Sequence, residues 1–258
     1  MVDIVQLSFC KSKYASVVTT FLFQSEQTSA LQAMLATHRS KAVRVANTAR
    51  IIDWGSPLPA ATSSIKRAID VVGALVGLGI VAVLFLPIAI AIRLDSPGPI
   101  FFRQLRYGYK GTPFLIWKFR SMVFDADANQ HQVQNEAKGL IFKNRADPRI
   151  TRVGRFLRRT SLDEIPQFIN VLRGEMSLVG TRPPVLNEVV QYAPHHWRRL
   201  AVKPGMTGKW QTSGRSSIED FEDIVAMDMA YQTEWSIWRD IHIIFKTVAV
   251  VFGSKDAC

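Results

Sequence analysis

The chain has 258 residues, 48% of them hydrophobic, with 32 Lys+Arg against 21 Asp+Glu for a formal charge of +11. That length holds one large domain or two small ones, and that charge favours polyanionic partners (nucleic acid, anionic lipid headgroups, nucleotide phosphates) without choosing among them. The two cysteines, Cys10 and Cys258, stand near the two ends with no CxxC or Cys/His cluster, which argues against a zinc or disulfide framework and fits a reducing compartment.

Residues 1–65 are expected to form an N-terminal extension. Lys11 and Lys13 precede the run Tyr14–Phe23, but threonines interrupt it and no small-residue cleavage site follows, so a signal peptide is not predicted. Leu31–Ile52 sets Leu31, Leu35, Ala42, Val45 and Ala49 against Arg39, Lys41, Arg44 and Arg50. The pattern predicts a basic amphipathic helix, lying on a membrane or simply solvated. Ser56 to Ser64, with two prolines, predicts a linker.

Val71–Ile92 is 22 residues without a charge. As a straight helix it would run about 33 Å, enough to cross a hydrocarbon core, but Pro87 predicts a bend after about 24 Å. Both flanks are basic: Lys66 and Arg67 before, Arg93, Arg103, Arg106 and Lys110 after. A helix over 68–94 that enters one leaflet, bends at Pro87 and returns keeps both flanks on one side. That topology puts Ser64 and Ser96 on the same face; a spanning helix is the alternative.

Asp95–Pro99 predicts a stiff turn, and Ile100–Gln104 and Pro113–Phe119 a hairpin joined by Tyr107–Thr112. Asp125–Lys143 is polar and predicts a helix or loop. Arg149, Arg152, Arg155 and Arg158 recur every three residues, which predicts an arginine ladder along one helix side. Ser161 and Glu164 match a capping box at the head of a helix carrying Leu162, Ile165, Ile169 and Leu172, which Gly174 ends. Pro166 breaks the local rules of that helix. Met229–Phe252, with Trp235, Trp238, Ile241, Phe245, Val248 and Phe252, predicts core or interfacial helix.

Asp163 and Glu164 are adjacent carboxylates in a first turn, where helix dipole and arginines favour the ionised form. An ionised Asp can attack phosphorus, and Glu164 could hold Mg2+, which takes one or two carboxylates plus substrate phosphates. The residues alone leave an equal alternative, that both acids merely cap the helix. Arg158 and Arg182 are the candidate phosphate forks, with Lys118, Arg120, Arg149 and Arg152 behind them. His195 and His196 read as plain surface histidines.

Five ordered blocks carry a resemblance: Lys66-Arg67-x-x-Asp70, then the apolar run and Gly98-Pro99-x-x-Phe102-x-Gln104-x-Arg106-x-Gly108; Lys118-Phe119-Arg120-Ser121-Met122; Asp147-Pro148-Arg149 through Ser161-Leu162-Asp163-Glu164-x-Pro166-Gln167; Asn170 through Gly180-x-Arg182-Pro183; and Pro204-Gly205-Met206-Thr207-Gly208 through Ser213-Gly214-Arg215. Over residues 66 to about 252 the chain resembles the bacterial sugar transferases, the monotopic phosphoglycosyl transferases. The resemblance implies transfer of a hexose 1-phosphate from a UDP-hexose to undecaprenyl phosphate with release of UMP, starting exopolysaccharide or O-antigen assembly on the cytoplasmic face of the inner membrane. It implies Asp163 as nucleophile, Glu164 as Mg2+ ligand, Arg158 on a lipid-side phosphate, Arg182 on the nucleotide, and Pro87 as the bend of a re-entrant helix.

The expected fold is α+β and mostly helical, with a 66–258 transferase domain, interfacial helices and a small hairpin. Partners implied are inner-membrane lipids and no nucleic acid, with self-association left open. Leu86-Pro87 stands where some members have Ser-Pro, and Thr181 where many have Pro. Large members carry further helices and a nucleotide-binding-like domain ahead of this block; with about 65 residues before it here, that domain is expected to be missing. Glucose or galactose is the first guess for the sugar. The alternatives are a basic membrane-surface binding protein without catalysis and a membrane phosphatase using the same Asp.

Overall fold

The computed structural model describes residues 29–142, 144, 146–213, 218 and 220–253. The run Tyr14–Phe23, both cysteines and the Gly214-Arg215 end of the fifth block lie outside them. The chain divides into two compact units, Met1–Ile51 and Ile52–Cys258. In the first, the expected basic helix is present as α1 (Ser29–Ile51).

The second unit is mostly helical with two small sheets. A short helix α2 (Pro59–Thr62) interrupts the expected linker, with Ala60 buried. Then comes α3 (Ser64–Asp95), 32 residues with Pro87 inside, long and apolar enough to cross a membrane by length and composition. The hairpin pairs β1 (Phe101–Tyr107) with β2 (Pro113–Phe119), Phe101 opposite Phe119 and Tyr107 opposite Pro113. Strand β1 runs three residues past its expected end. Its turn is closed by Lys110 at φ 52 and Gly111 at φ 73, both left-handed.

After α4 (Arg152–Arg159) a 3-10 segment, Leu162–Gln167, leads into α5 (Phe168–Leu172). Strands β3 (Ser177–Val179) and β4 (Gly205–Thr207) form a short parallel pair that the sequence did not suggest. Between and after them lie α6 (Leu186–Val189), α7 (Lys209–Thr212), α8 (Phe221–Thr233) and α9 (Ile237–Gly253). The expected single element over 229–252 is therefore two helices, broken at Glu234–Ser236. Trp235 turns into the core beside Val179, Tyr231 and Ile243, while Trp238 is 80% exposed. The polar stretch 125–143 is anchored by Ile141, which packs on Trp210, Phe221 and Ile224.

Helix α3 is sewn to this unit at both ends. At its start the Ser63 hydroxyl caps it, and Lys66 donates to Asp240 at 2.6 Å and to the Val179 carbonyl at 2.9 Å. Arg67 donates to the last carbonyls of α5, Val171 and Leu172, where a helix C-terminus favours a cation. Asp70 accepts from the Ser177 hydroxyl and the Leu178 amide. Gly77 lets Phe168 approach so closely that a Cβ there would stand 2.3 Å from its ring. At its far end, Ile88 and Ile92 pack on Phe119 and Leu157. From Leu78 to Pro87 no residue is buried.

Candidate active site

Asn170 is the clip that fixes the site. Its amide nitrogen donates to the Leu115 carbonyl at 2.7 Å and its oxygen accepts from the Trp117 amide at 3.1 Å. This ties α5 to β2 and lays the 3-10 segment alongside the strand. The Lys118 ammonium then reaches Glu164 Oε1 at 2.7 Å. Asp163, next to it, is buried at 6% exposure.

The turn into this segment is not the expected capping box. Ser161 adopts φ 54 and ψ 17, left-handed, and its side chain makes no capping bond. Its backbone carbonyl instead accepts from the Glu164 amide at 3.2 Å. Helix α4 ends at Arg159, so only Thr160 and Ser161 are available to redirect the chain, and a left-handed residue does that in one step. The 3-10 form also recasts Pro166. The donor it lacks would have faced the Asp163 carbonyl, not that of Leu162.

The arginine ladder is split. Arg149 precedes α4 and closes on Asp147, through Nε at 2.9 Å and Nη2 at 2.7 Å, with a third bond to the Ala126 carbonyl. Those hydrogen bonds hold the Asp147 carboxyl below its ordinary range and the Arg149 pKa above it. Arg158 turns inward, Nε donating to Ser121 Oγ at 2.9 Å. Gly154 permits this, since a Cβ there would lie 2.0 Å from the Ser121 carbonyl. Arg152, Arg155 and Arg159 face outward.

Arg120 is likewise an anchor. It donates to the Ile92, Ser96 and Pro97 carbonyls and so caps the end of α3. Arg120 and Arg149, both expected on substrate, are thus engaged with the protein itself.

Arg182 sits in the loop after β3, where Gly180 and Gly205 cross too closely for any Cβ. It makes a two-point pair with Glu188, at 2.8 and 3.0 Å. Burial works to lower the Arg182 pKa, and Glu188 more than offsets it, leaving it above the ordinary value. Burial likewise works to raise the Glu188 pKa; Arg182 overrides that and leaves it low.

The sequence reading missed Arg106, which connects the two sides. Its guanidinium donates to the Pro183 carbonyl at 2.8 Å, while its buried Nε has no hydrogen-bond partner among the described residues. Burial and then repulsion from Arg182 lower its pKa to about 10, while Glu188 and Glu164 support its charge. Strand alternation could have found Arg106: it shares a face of the hairpin with Lys118, the register pairing Phe102 with Lys118 and Arg106 with Phe114.

A hard cation needs one or two carboxylates together with phosphate oxygens. Asp163 and Glu164 could supply the carboxylates of such a donor set, with Glu164 shared with Lys118. His195 is exposed, as expected of a surface histidine, but His196 departs from that expectation. His196 is buried, and both rings face Glu222, at 3.3 and 2.7 Å. The Ala193 amide donates to His196 Nδ1, so its Nε2 carries the proton given to Glu222 and offers no lone pair to a metal.

The family model of the bacterial sugar transferases matches residues 61–254. The galactosyl transferase CpsE of Streptococcus agalactiae is 51% identical over 72% of this chain and 42% of its own length. A UDP-glucose:undecaprenyl-phosphate glucose-1-phosphate transferase of Escherichia coli is 43% identical over 79% of this chain and 44% of its own. An enzyme of the same name from Caulobacter vibrioides is 39% identical, and there the match covers 79% of this chain and 76% of the relative. The chain thus spans less than half the length of the first two.

Proposed function

The chain belongs to the bacterial sugar transferase family, and from that premise we propose that it transfers a hexose 1-phosphate from a UDP-hexose to undecaprenyl phosphate at the cytoplasmic face of the inner membrane. The observation that carries this reading is a buried Asp163 beside a lysine-paired Glu164, on a segment clipped to β2 and adjoining the helix most suited to a bilayer.

An Asp163 carboxylate oxygen attacks the β-phosphorus of the donor. The bond from that phosphorus to the oxygen of the α-phosphate breaks, and UMP leaves with that oxygen. The hexose phosphate remains on Asp163 as an acyl phosphate. An oxygen of undecaprenyl phosphate then attacks the same phosphorus, the bond to Asp163 breaks, and the free carboxylate is restored. Lys118 and Arg182 neutralise the donor's phosphates. Arg158 meets the lipid phosphate; its helix is tied to the end of α3 by the Val153 amide donating to Asp95 at 2.9 Å. Glu164 would hold Mg2+, which when bound supplies Lewis-acid stabilisation of phosphate oxygens.

A re-entrant α3 fits this arrangement. Its two ends bond to one unit, while its middle leaves Ile80, Val83 and Leu86 exposed and touches that unit through Leu84 and Phe85, on Phe101 and Phe119. Ser64→Cys and Pro99→Cys should both label from the cytoplasmic side of sealed vesicles; opposite sides would make α3 a spanning helix.

The test of the chemistry is incubation with radiolabelled UDP-glucose or UDP-galactose, undecaprenyl phosphate and Mg2+. Asp163→Asn should abolish both lipid-linked product and label trapped on the protein. Near wild-type turnover in that variant would overturn the nucleophile. Full-rate release of free sugar phosphate without lipid would make the protein a phosphatase.

A further inference from the structure

Helix α4 has one face spent on the protein and one that is not. Gly154 and Leu157 are buried and Arg158 turns to Ser121. The opposite face carries Arg152, Arg155, Phe156 and Arg159, all exposed. Among the described residues no carboxylate forms an ion pair with these three arginines. Asp95, the acid beside them, accepts the Val153 amide and so fixes the head of α4 at the point where α3 ends.

The surface around them is apolar. Phe156 is 51% exposed and Leu94 is 83% exposed. With Ala91 and Val153 they line an open groove between the two helices. Leu94 also continues a stripe of exposed side chains along α3, through Ile90, Leu86 and Val83. The arginines stand at positions i, i+3 and i+7 and so form one row with Phe156 inside it.

We infer that this face of α4 binds anionic phospholipid headgroups, the arginine forks on lipid phosphates and Phe156 and Leu94 at the acyl boundary. The inference rests on the preceding reading only in that α3 enters the bilayer. Charge complementarity and continuity with the apolar stripe of α3 favour a lipid over a soluble anion. A soluble phosphate would leave Phe156 and Leu94 wet, whereas a bilayer buries them under the cations. Arg158 faces the other way, so catalysis and lipid docking draw on different arginines of one helix.

The full chain, purified in detergent, is transferred to vesicles of pure phosphatidylcholine or of equimolar phosphatidylcholine and phosphatidylglycerol, and partitioning is read by flotation at low salt. The wild type should prefer the anionic vesicles. The variant Arg152→Gln/Arg155→Gln/Arg159→Gln should lose that preference, by about fivefold per arginine removed, while still floating with neutral vesicles through α3. Unchanged melting would show that it folds. Lys41→Gln/Arg44→Gln/Arg50→Gln, in the other basic helix, should keep the preference. If the α1 set removes it and the α4 set does not, the inference is wrong. It is equally wrong if inorganic phosphate, at matched ionic strength, abolishes the preference where chloride does not. Asp163→Asn should retain the preference, so loss of transferase activity and loss of lipid docking are read separately.

Discussion

Two glutamate–cation pairs lie within electrostatic reach of Arg106, and they differ in kind. Lys118 and Glu164 meet at one point, 2.7 Å, with 23% and 20% of their side chains exposed. Arg182 and Glu188 meet at two points, with 20% and 4% of their side chains exposed. Arg106 and the Val185 amide, which donates to Glu188 at 3.3 Å, build further onto the second pair. A point charge on a flexible stem can leave Glu164 for a phosphate; a planar fork locked into a buried carboxylate cannot do so without cost. In the proposed chemistry the first pair is therefore the exchangeable element. The second holds the shape of the Gly180–Pro183 loop, and under the proposed function Arg182 would meet substrate only with the N–H groups that Glu188 does not occupy.

The largest expected break in that contrast is Glu188→Gln. It leaves Arg182, 20% exposed, without its counter-charge and should lower stability by up to about 3 kcal/mol, read by urea unfolding. A change under about 1 kcal/mol would mean that the pair is not locked. The same variant fixes the sign of the pH dependence. The folded pKa of Glu188 lies below its unfolded value, so its contribution is present above the unfolded carboxylate pKa. It is lost as pH falls through the folded pKa. The acid limb of the wild-type stability curve should flatten in Glu188→Gln, most clearly below the ordinary glutamate range.

Lys118→Met comes next and should act on the other axis. With the pair partly exposed, its removal should change stability by less than about 1 kcal/mol. Loss of a phosphate-neutralising cation should lower kcat/KM about 10–100-fold, measured by UMP release. A large loss of stability with intact turnover would reverse the roles given to the two pairs.

The sequence foresaw these pairs unevenly, for physical reasons. Asp163, Glu164 and Lys118 were legible because adjacent acids and a basic strand residue stand out in their local windows. The long helix and the hairpin were legible from an uncharged run and from turn residues between β-formers. The partner of Arg182 was not, because Glu188 reaches back across a turn that no periodicity marks. Asp147 stands two residues before Arg149, yet the three-residue spacing drew attention along the ladder and away from it. Ser161 and Glu164 matched a real pattern that the backbone did not use, since α4 stops two residues short and the chain must reverse. Arg106 lay just past the expected end of β1, where strand alternation was no longer followed.

The smallest effect is the sharpest test of the contrast. A double-mutant cycle on Lys118 and Glu164 should give a coupling of about 0.5 kcal/mol at low salt, and molar salt, with a screening length near 3 Å, should erase most of it. The cycle on Arg182 and Glu188 should exceed about 2 kcal/mol and lose a smaller share with salt, because the Glu188 carboxylate is buried and ions reach the pair only from the Arg182 side. Equal salt sensitivity in the two cycles would mean that water reaches both pairs alike. The Arg182 guanidinium would then be as available to a diphosphate as the Lys118 ammonium, and the distinction between an exchangeable and a locked pair would fail.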